Sequence, residues 1–356
     1  MIFAYLFVLF SLSIYSYSQI DLNLTLLQTP WFLAFKDLVI NLGYYNRPLS
    51  TIFFLIILLL MYWFYWKLVI GNWKLVIGVI GVLALLSYPF LSHDLFNYIF
   101  DARIITTYHL NPYFYKALDF PADDWVRFMH WTHRTYPYGP VWLLITIIPS
   151  FLGFGKFILT LLNFKLLFTG AYLLNCYLVS KINPQNLKFF ALNPLIILET
   201  LYSPHNEALM LTFFLLGVYF SKNKVLMLVS LLLSGGVKFI TWLAIPPLLS
   251  IDKVNARAMS LSIVLISLGL VPVILGREMY PWYLVTIIGL AALTDNKNLQ
   301  KFLGIFSFGL LLRYVLYLYT GLYSSETILA QNTITVTFIF IALLTALHRS
   351  FTAGRN

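Results

Sequence analysis

Unbroken apolar runs such as Thr51 to Trp66 and Met210 to Phe220 constrain this chain more than any other feature. A helix on the surface of a soluble domain keeps one polar face, and a membrane barrel strand alternates polar and apolar residues in segments of about ten. These runs are apolar on every side. In an apolar solvent a helix satisfies all of its backbone N–H and C=O groups internally, so the runs read as membrane-spanning helices. Composition agrees: 60% of the 356 residues are apolar and 10% are charged, enough for roughly ten spans of about 20 residues each. A soluble domain, a singly anchored enzyme and a disordered chain are excluded. The single cysteine, Cys176, excludes a disulfide framework and a paired-cysteine metal or redox site.

Breaks in hydrophobicity predict spans near 2–19, 49–66, 74–91, 138–154, 157–179, 189–203, 206–221, 224–250, 258–275, 281–294, 302–319 and 328–347. The first segment lacks a charged leader and is long enough to cross, so it reads as a retained helix rather than a cleaved signal peptide. Trp31, Tyr44 and Tyr45 mark an interfacial stretch after it. The expected fold is all-α: a polytopic transmembrane bundle of about 11–12 spans, with one long loop carrying short helices. It divides into N-terminal spans (1–91), the loop (92–137), core spans (138–294) and C-terminal spans (295–356).

The net charge of +10 comes from lysines and arginines scattered singly or in pairs, with no stripe for a nucleic-acid backbone, so they read as topology signals and nucleic acid is not an expected partner. With the N-terminus inside, Lys67 and Lys74 of the repeated WKLVIG stretch fall inside and residues 92–137 outside. Lys156, Lys222, Lys224, Lys253, Arg257, Lys297, Lys301, Arg349 and Arg355 then also fall inside, against Lys36, Arg47, Lys238 and Arg277 outside. Both termini are expected in the cytoplasm. Strict alternation conflicts with this bias between 138 and 221, where either 189–203, broken by Pro194, does not cross or the threading differs. Segment 224–250 reads as two short crossings, with Gly235 and Gly236 before an outer Lys238.

The loop holds Asp94, Asp101, Asp119, Asp123 and Asp124, five of the 13 acidic residues, and four of the six histidines. With Trp125, Trp131 and many tyrosines, it suits a sugar-binding surface lying on a membrane; the alternative is an ordinary solvated loop. Asp94, Asn97 and Asp101 recur at helical spacing and share one face. Asp94 follows the apolar run by three residues, at the mouth of the bundle, where a partly desolvated carboxylate makes a useful base; the competing reading is a helix cap. Asp123 and Asp124 read as turn residues after Pro121. A second cluster, Glu199, His205, Asn206 and Glu207, interrupts otherwise apolar sequence, and ionisable groups there are expensive enough to imply a role. Its spacing offers no metal-binding pattern, which favours a hydrogen-bonding shelf for sugar hydroxyls. Lys238 and Arg277, as fixed cations near the headgroup level, suit a lipid phosphate, with snorkelling to the interface as the alternative.

The order DLFNYIFDARIITTYHLNPY, Trp131, YPYGPVW (Tyr136 to Trp142), NPLIILE, HNEALM, a following lysine and YPWY at Tyr280 resembles the polyprenyl-phosphate-mannose-dependent mannosyltransferases of the GT-C superfamily. It is most similar to the bacterial alpha-1,6-mannosyltransferases of lipoglycan synthesis. The resemblance runs from about Ser87 to Tyr283, and departs where the family pattern has His-Asn-Asp and this chain has His205-Asn206-Glu207.

It implies a GT-C-like helical bundle in the plasma membrane whose extracytoplasmic loop carries an aspartate that acts on the acceptor hydroxyl. The matching position here is Asp94, with Asp101 as a second catalytic candidate on the same face. Lys238 and Arg277 are the expected contacts to donor phosphate, and Asn97, Trp131, Tyr136, Tyr138, Glu199, His205, Asn206, Glu207, Tyr280 and Trp282 those to sugar or acceptor. The expected partners are a polyprenyl-phosphate sugar donor, mannose by resemblance, and a glycan or glycolipid acceptor, with membrane lipids around the bundle. No cofactor is expected, and a divalent metal is not favoured. A lipid-diphosphate-linked glycan ligase or polymerase and a secondary transporter are the competing readings; a transporter is disfavoured because no motif occurs twice.

Overall fold

The computed structural model describes residues 1–22, 24, 26–69, 71–249 and 255–353, with side chains through residue 346. Lys253 and Arg355, counted for topology, lie outside the described residues, as does the side chain of Arg349. All regular structure described is helical.

The N-terminal part contains α1 (Ile2–Ser16), α2 (Pro30–Leu42), α3 (Arg47–Lys67) and α4 (Trp73–Leu85). The long loop carries α5 (Asp94–Thr106), and the chain continues through α6 (Pro140–Phe151), α7 (Phe157–Ile182), α8 (Leu187–Ala191) and α9 (Pro194–Ile197). Then come α10 (Glu207–Tyr219), α11 (Lys224–Val237), α12 (Ile245–Leu249), α13 (Ala256–Gly276), α14 (Tyr283–Ala291), α15 (Lys297–Thr320) and α16 (Ser325–Ala353). Among the described residues six helical stretches are long and apolar enough to cross a membrane: Ile2–Gln19, Arg47–Lys67, Phe157–Ile182, Ala256–Gly276, Lys297–Thr320 and Ser325–Ala346. Five shorter apolar helices fill in between them. The chain is an all-α polytopic membrane protein.

Asparagine starts many of these helices. The side chains of Asn46, Asn72, Asn223, Asn255 and Asn296 accept from backbone N–H groups in the first turns of α3, α4, α11, α13 and α15. Each satisfies an orphan donor that would otherwise be left where the chain re-enters apolar surroundings. Helices α3 and α15 run antiparallel. Tyr62 of α3 donates to Ser307 of α15 (2.8 Å), while Arg47 at the start of α3 reaches Leu318 O near the end of α15 (3.4 Å).

The two ends of the bundle differ in charge. At the end away from Asp94, Lys188 Nζ donates to Trp66 O (3.2 Å) and Lys297 Nζ to Asn186 Oδ1 (2.7 Å), with Lys74 and Lys181 sharing a recess nearby. Lys74 and Lys297, expected on one side, do share this end, whereas Lys156, expected with them, does not. Tyr98 meets Trp142 edge to face (centroids 5.1 Å apart), and further along both helices Thr106 Oγ1 lies 2.9 Å from Ser150 Oγ. Helix α6 therefore runs alongside α5 in the same direction, and α7 begins with Phe157 packed on Phe96, Trp125 and Phe128. Residues 138–154 start and finish against the loop layer instead of crossing, and Lys156 lies at the loop end. Pro149 inside α6 and the tight turn at Gly153 to Gly155 are the local reasons.

Two further segments fall short of spans. Residues 187–202 are α8, α9 and one π-helical turn (Leu198–Tyr202), broken at Asn193 and Pro194, so 189–203 is not a continuous span-length helix. Residues 281–294 contain only the nine-residue α14. The expected interruption of 224–250 falls at Lys238, where α11 gives way to extended backbone and a 3-10 turn (Phe239–Ala244).

Candidate active site

Asp94 is delivered by a short connector that three separate groups hold in place. Helix α4 ends at Leu85, and Lys165, buried in α7, donates to Ala84 O (2.6 Å), to Ser87 Oγ (2.8 Å) and to Ser87 O. Tyr88 N then donates to Ser16 Oγ (2.8 Å) and Leu91 N to Ser203 Oγ (2.9 Å). Asp94 opens α5, with His93 as the N-cap residue, so its carboxylate lies at the positive end of the helix dipole. It forms no side-chain cap. Instead Oδ1 accepts from the Trp131 indole (3.2 Å), and Oδ2 lies 3.8 Å from His205 Nε2. The side chain keeps 13% of its surface exposed, so one edge of the carboxylate is accessible while two neighbours fix its orientation.

The π turn places the second row of groups behind it. An extra residue per turn reorients a helix's side chains, and such turns are common at functional sites. His205 is fully buried. Its Nδ1 is 3.0 Å from Glu199 Oε2, its Nε2 is 3.1 Å from Ser92 Oγ, and its ring stacks on Trp282 at 4.1 Å and 17°. Trp282 in turn stacks on Tyr280 at 4.4 Å and 4°. A carboxylate beside Nδ1 favours the proton on that nitrogen, which leaves Nε2 to face Ser92 and Asp94. Glu207 pairs with Lys238, whose ammonium also lies 5.4 Å from the centre of the Tyr138 ring.

The loop layer braces the other side. Asn97 Oδ1 accepts from the backbone N–H groups of His130 (3.3 Å) and Trp131 (3.4 Å), holding the indole against Asp94. The Arg134 guanidinium covers both Trp131 (5.5 Å) and Tyr138 (5.7 Å). Asp123 is a turn residue, as read from sequence, capping the 3-10 turn Asp124–Phe128 through Trp125 N (2.9 Å), and it is also a clamp that accepts from Arg103 (2.6 Å) and Tyr108 (2.7 Å). Burial opposes its ionisation, but these donors outweigh burial and hold its carboxyl below the ordinary value. His93 stacks on His130 (5.4 Å), and burial, with His130 adding to it, pushes it down to about 4. Burial pushes Asp101 up to about 7 against the pull of Arg134. Gly139 joins this layer to the bundle: its N–H donates to Val237 O (3.1 Å), and a Cβ there would lie 2.1 Å from Gly236 O, so only glycine permits the approach.

These walls enclose a cavity of about 1100 Å³. Of the residues singled out from sequence, Asp94, Trp131, Tyr138, Glu207, Lys238, Arg277, Tyr280 and Trp282 line it. Asn97, Tyr136, Glu199, His205 and Asn206 are buried behind the lining. Tyr136 donates to Gly139 O (3.3 Å) and shapes the wall from behind, while Asp101 lies further along α5, off the lining. Sequence reasoning missed His130, His133 and Arg134, which line the cavity, and above all Arg313 of α15. An arginine inside the apolar run 302–319 was itself a legible signal. Among the described residues no group of three or more His, Cys, Asp or Glu side chains is placed to hold a metal ion.

A polytopic helical bundle with a broken-helix floor and a large cavity, lined by an oriented carboxylate, the cations Arg134, Lys238, Arg277 and Arg313, and stacked aromatic rings, suits a membrane-embedded group transferase. The family described as alpha-(1->6)-mannopyranosyltransferase, N-terminal domain, matches residues 32–251, more than half of the chain. The chain belongs to this family and is a glycosyltransferase of the mannosyltransferase type. No match is found among curated proteins or solved structures.

Proposed function

We propose that the protein transfers mannose from a polyprenyl-phosphate donor to a hydroxyl of a lipid-linked or surface glycan at the outer face of the plasma membrane. The observation that carries this reading is one helix face. Ile266, Leu270, Val273 and Arg277 follow one another at helical spacing on and just beyond α13, and all four line the cavity that also contains Asp94. Phe239, Ile240 and Leu243, directly after Lys238, contribute to the same lining. An apolar path ending in cations is the complement of a long hydrocarbon tail bearing a phosphate. Lys238 is already paired with Glu207, whereas Arg277 is exposed and makes no ion pair among the described residues, so Arg277 is the principal phosphate contact.

In the reaction Asp94 takes the proton of the acceptor hydroxyl as its oxygen attacks the anomeric carbon. The bond from that carbon to the phosphate oxygen breaks, and the lipid phosphate leaves with the electron pair. Attack from the face opposite the phosphate inverts the centre, so a beta-linked donor yields an alpha-linked product. Charge develops mainly on the departing phosphate, where Arg277 and Lys238 are most useful. Trp131 and His205 hold the base in line, and Tyr280, backed by Trp282, offers a flat surface for a pyranose ring.

The test is sugar transfer by the purified protein in liposomes, with polyprenyl-monophosphate mannose and a polyprenyl-diphosphate glycan as alternative donors. Transfer from the monophosphate alone is expected, and Arg277→Met should raise the donor KM about tenfold, equivalent to roughly 1.4 kcal/mol. Transfer only from the diphosphate would establish the ligase reading in its place.

A further inference from the structure

The stretch of cavity wall built by α15, the turn after it and α16, all beyond the matched family region, has a chemistry of its own. Tyr317 and Tyr323 stack at 4.5 Å and 20°, and Tyr323 is 48% exposed. The turn carrying Tyr323 is fixed. Gly321 adopts φ +71°, and the Arg47 guanidinium packs where a side chain would be, with its Cζ 2.4 Å from the position of a Cβ. Below the tyrosines, Arg313 is bonded to Glu278, Asn332 Oδ1 (3.0 Å) and Thr335 Oγ1 (2.9 Å). Gln331 Nε2 donates to Arg313 O (2.9 Å), while its buried Oε1 has no hydrogen-bond partner among the described residues.

This wall suits neither a tail nor a phosphate. A hydrocarbon chain is matched by the aliphatic face of α13, and the charge of Arg313 is already balanced by Glu278. Stacked rings beside neutral, hydrogen-bonding groups match a hydroxyl-rich pyranose: the ring faces take its C–H surface, and the amide and guanidinium layer orders its hydroxyls. We propose that Tyr317, Tyr323 and Gln331 form a subsite for the sugar units of the acceptor that precede the one receiving mannose. This rests on the acceptor being a glycan, as proposed above. The subsite makes the enzyme read acceptor length.

The experiment compares two defined acceptors, octyl mannoside and the octyl glycoside of an alpha-1,6-linked mannotriose, with one donor. For the unaltered protein the mannotriose has the lower KM. Tyr323→Ala is expected to raise that KM about 5- to 10-fold, as loss of an aromatic contact does, and to leave kcat and the KM for octyl mannoside unchanged. Tyr323→Phe, which keeps the ring, should restore the mannotriose KM. Equal effects on both acceptors, or none on either, would overturn the subsite. Absence of transfer to both acceptors by the unaltered protein would overturn the acceptor reading and the subsite with it.

Discussion

His205 Nε2 lies 3.8 Å from Asp94 Oδ2 while its Nδ1 lies 3.0 Å from Glu199 Oε2, so a buried imidazole bridges the two carboxylates. The relation is between a surface of the cavity and its supporting floor: Asp94 faces the cavity, and the other two are fully buried. His205→Phe keeps the stacking surface on Trp282 and removes both ring nitrogens. The 3.1 Å bond from Nε2 to Ser92 Oγ and the ionic contact with Asp94 are both lost, so kcat is expected to fall about 10-fold, equivalent to roughly 1.4 kcal/mol. The donor KM should stay unchanged. A loss confined to KM would assign His205 to binding instead.

Lys238 and Glu207 form a partly buried ion pair on the cavity wall. Removing one partner leaves the other charge uncompensated, so Glu207→Gln and Lys238→Met should each lower the thermal midpoint more than the double variant does. Neighbouring groups of this kind couple by about 0.5–3 kcal/mol, and a double-mutant cycle on unfolding in detergent measures it. Additive effects would show that the pair is not coupled.

Much of this was legible in the sequence. The apolar runs gave the all-helical membrane bundle, and the concentration of acids in 92–137 pointed to the layer that supplies Asp94. The clusters around His205 and Lys238 were also visible as polar groups in apolar surroundings. What sequence did not reveal was depth. His205 and Tyr280 are equally polar on paper, yet one is floor and the other lining, because the π turn and α14 set the side-chain directions. The course of α6 was hidden for a similar reason: twelve apolar residues are compatible with a short span or with a helix packed along α5. Arg313 lies in the C-terminal spans, where the sequence reading places no site residue.

Asp101 carries a pH signature. Burial raises its folded-state value to about 7, from an ordinary value near 3.8. The folded protein therefore holds a proton there that the unfolded chain has released between those limits. Its stabilising contribution is complete below about pH 4 and is lost as pH rises through about 7. Asp101→Asn mimics the protonated form, so its thermal midpoint relative to the unaltered protein should rise between pH 5 and pH 8, tracked by melting in detergent at about one-unit steps of pH. A constant difference would contradict the shift.

Lys165 places three donated hydrogen bonds on the connector ahead of Asp94. Lys165→Met retains the length of the chain and takes the donor from Ser87 O, while Ala84 O keeps its bonds from Ser87; an acceptor left unpaired costs about 1–3 kcal/mol. A lower thermal midpoint together with a reduced kcat is the expected result. Unaltered stability and turnover would show that the connector is held without it.

The most direct measurement is mannosyl transfer by Asp94→Asn in liposomes supplied with polyprenyl-phosphate mannose and a mannoside acceptor. The substitution preserves size and the contact with Trp131 and removes only the base. General-base catalysis contributes about 100- to 10,000-fold, so kcat should fall by at least about 100-fold, with donor binding retained. Undiminished transfer would contradict the assignment of Asp94 as the base and, with it, the account of the site.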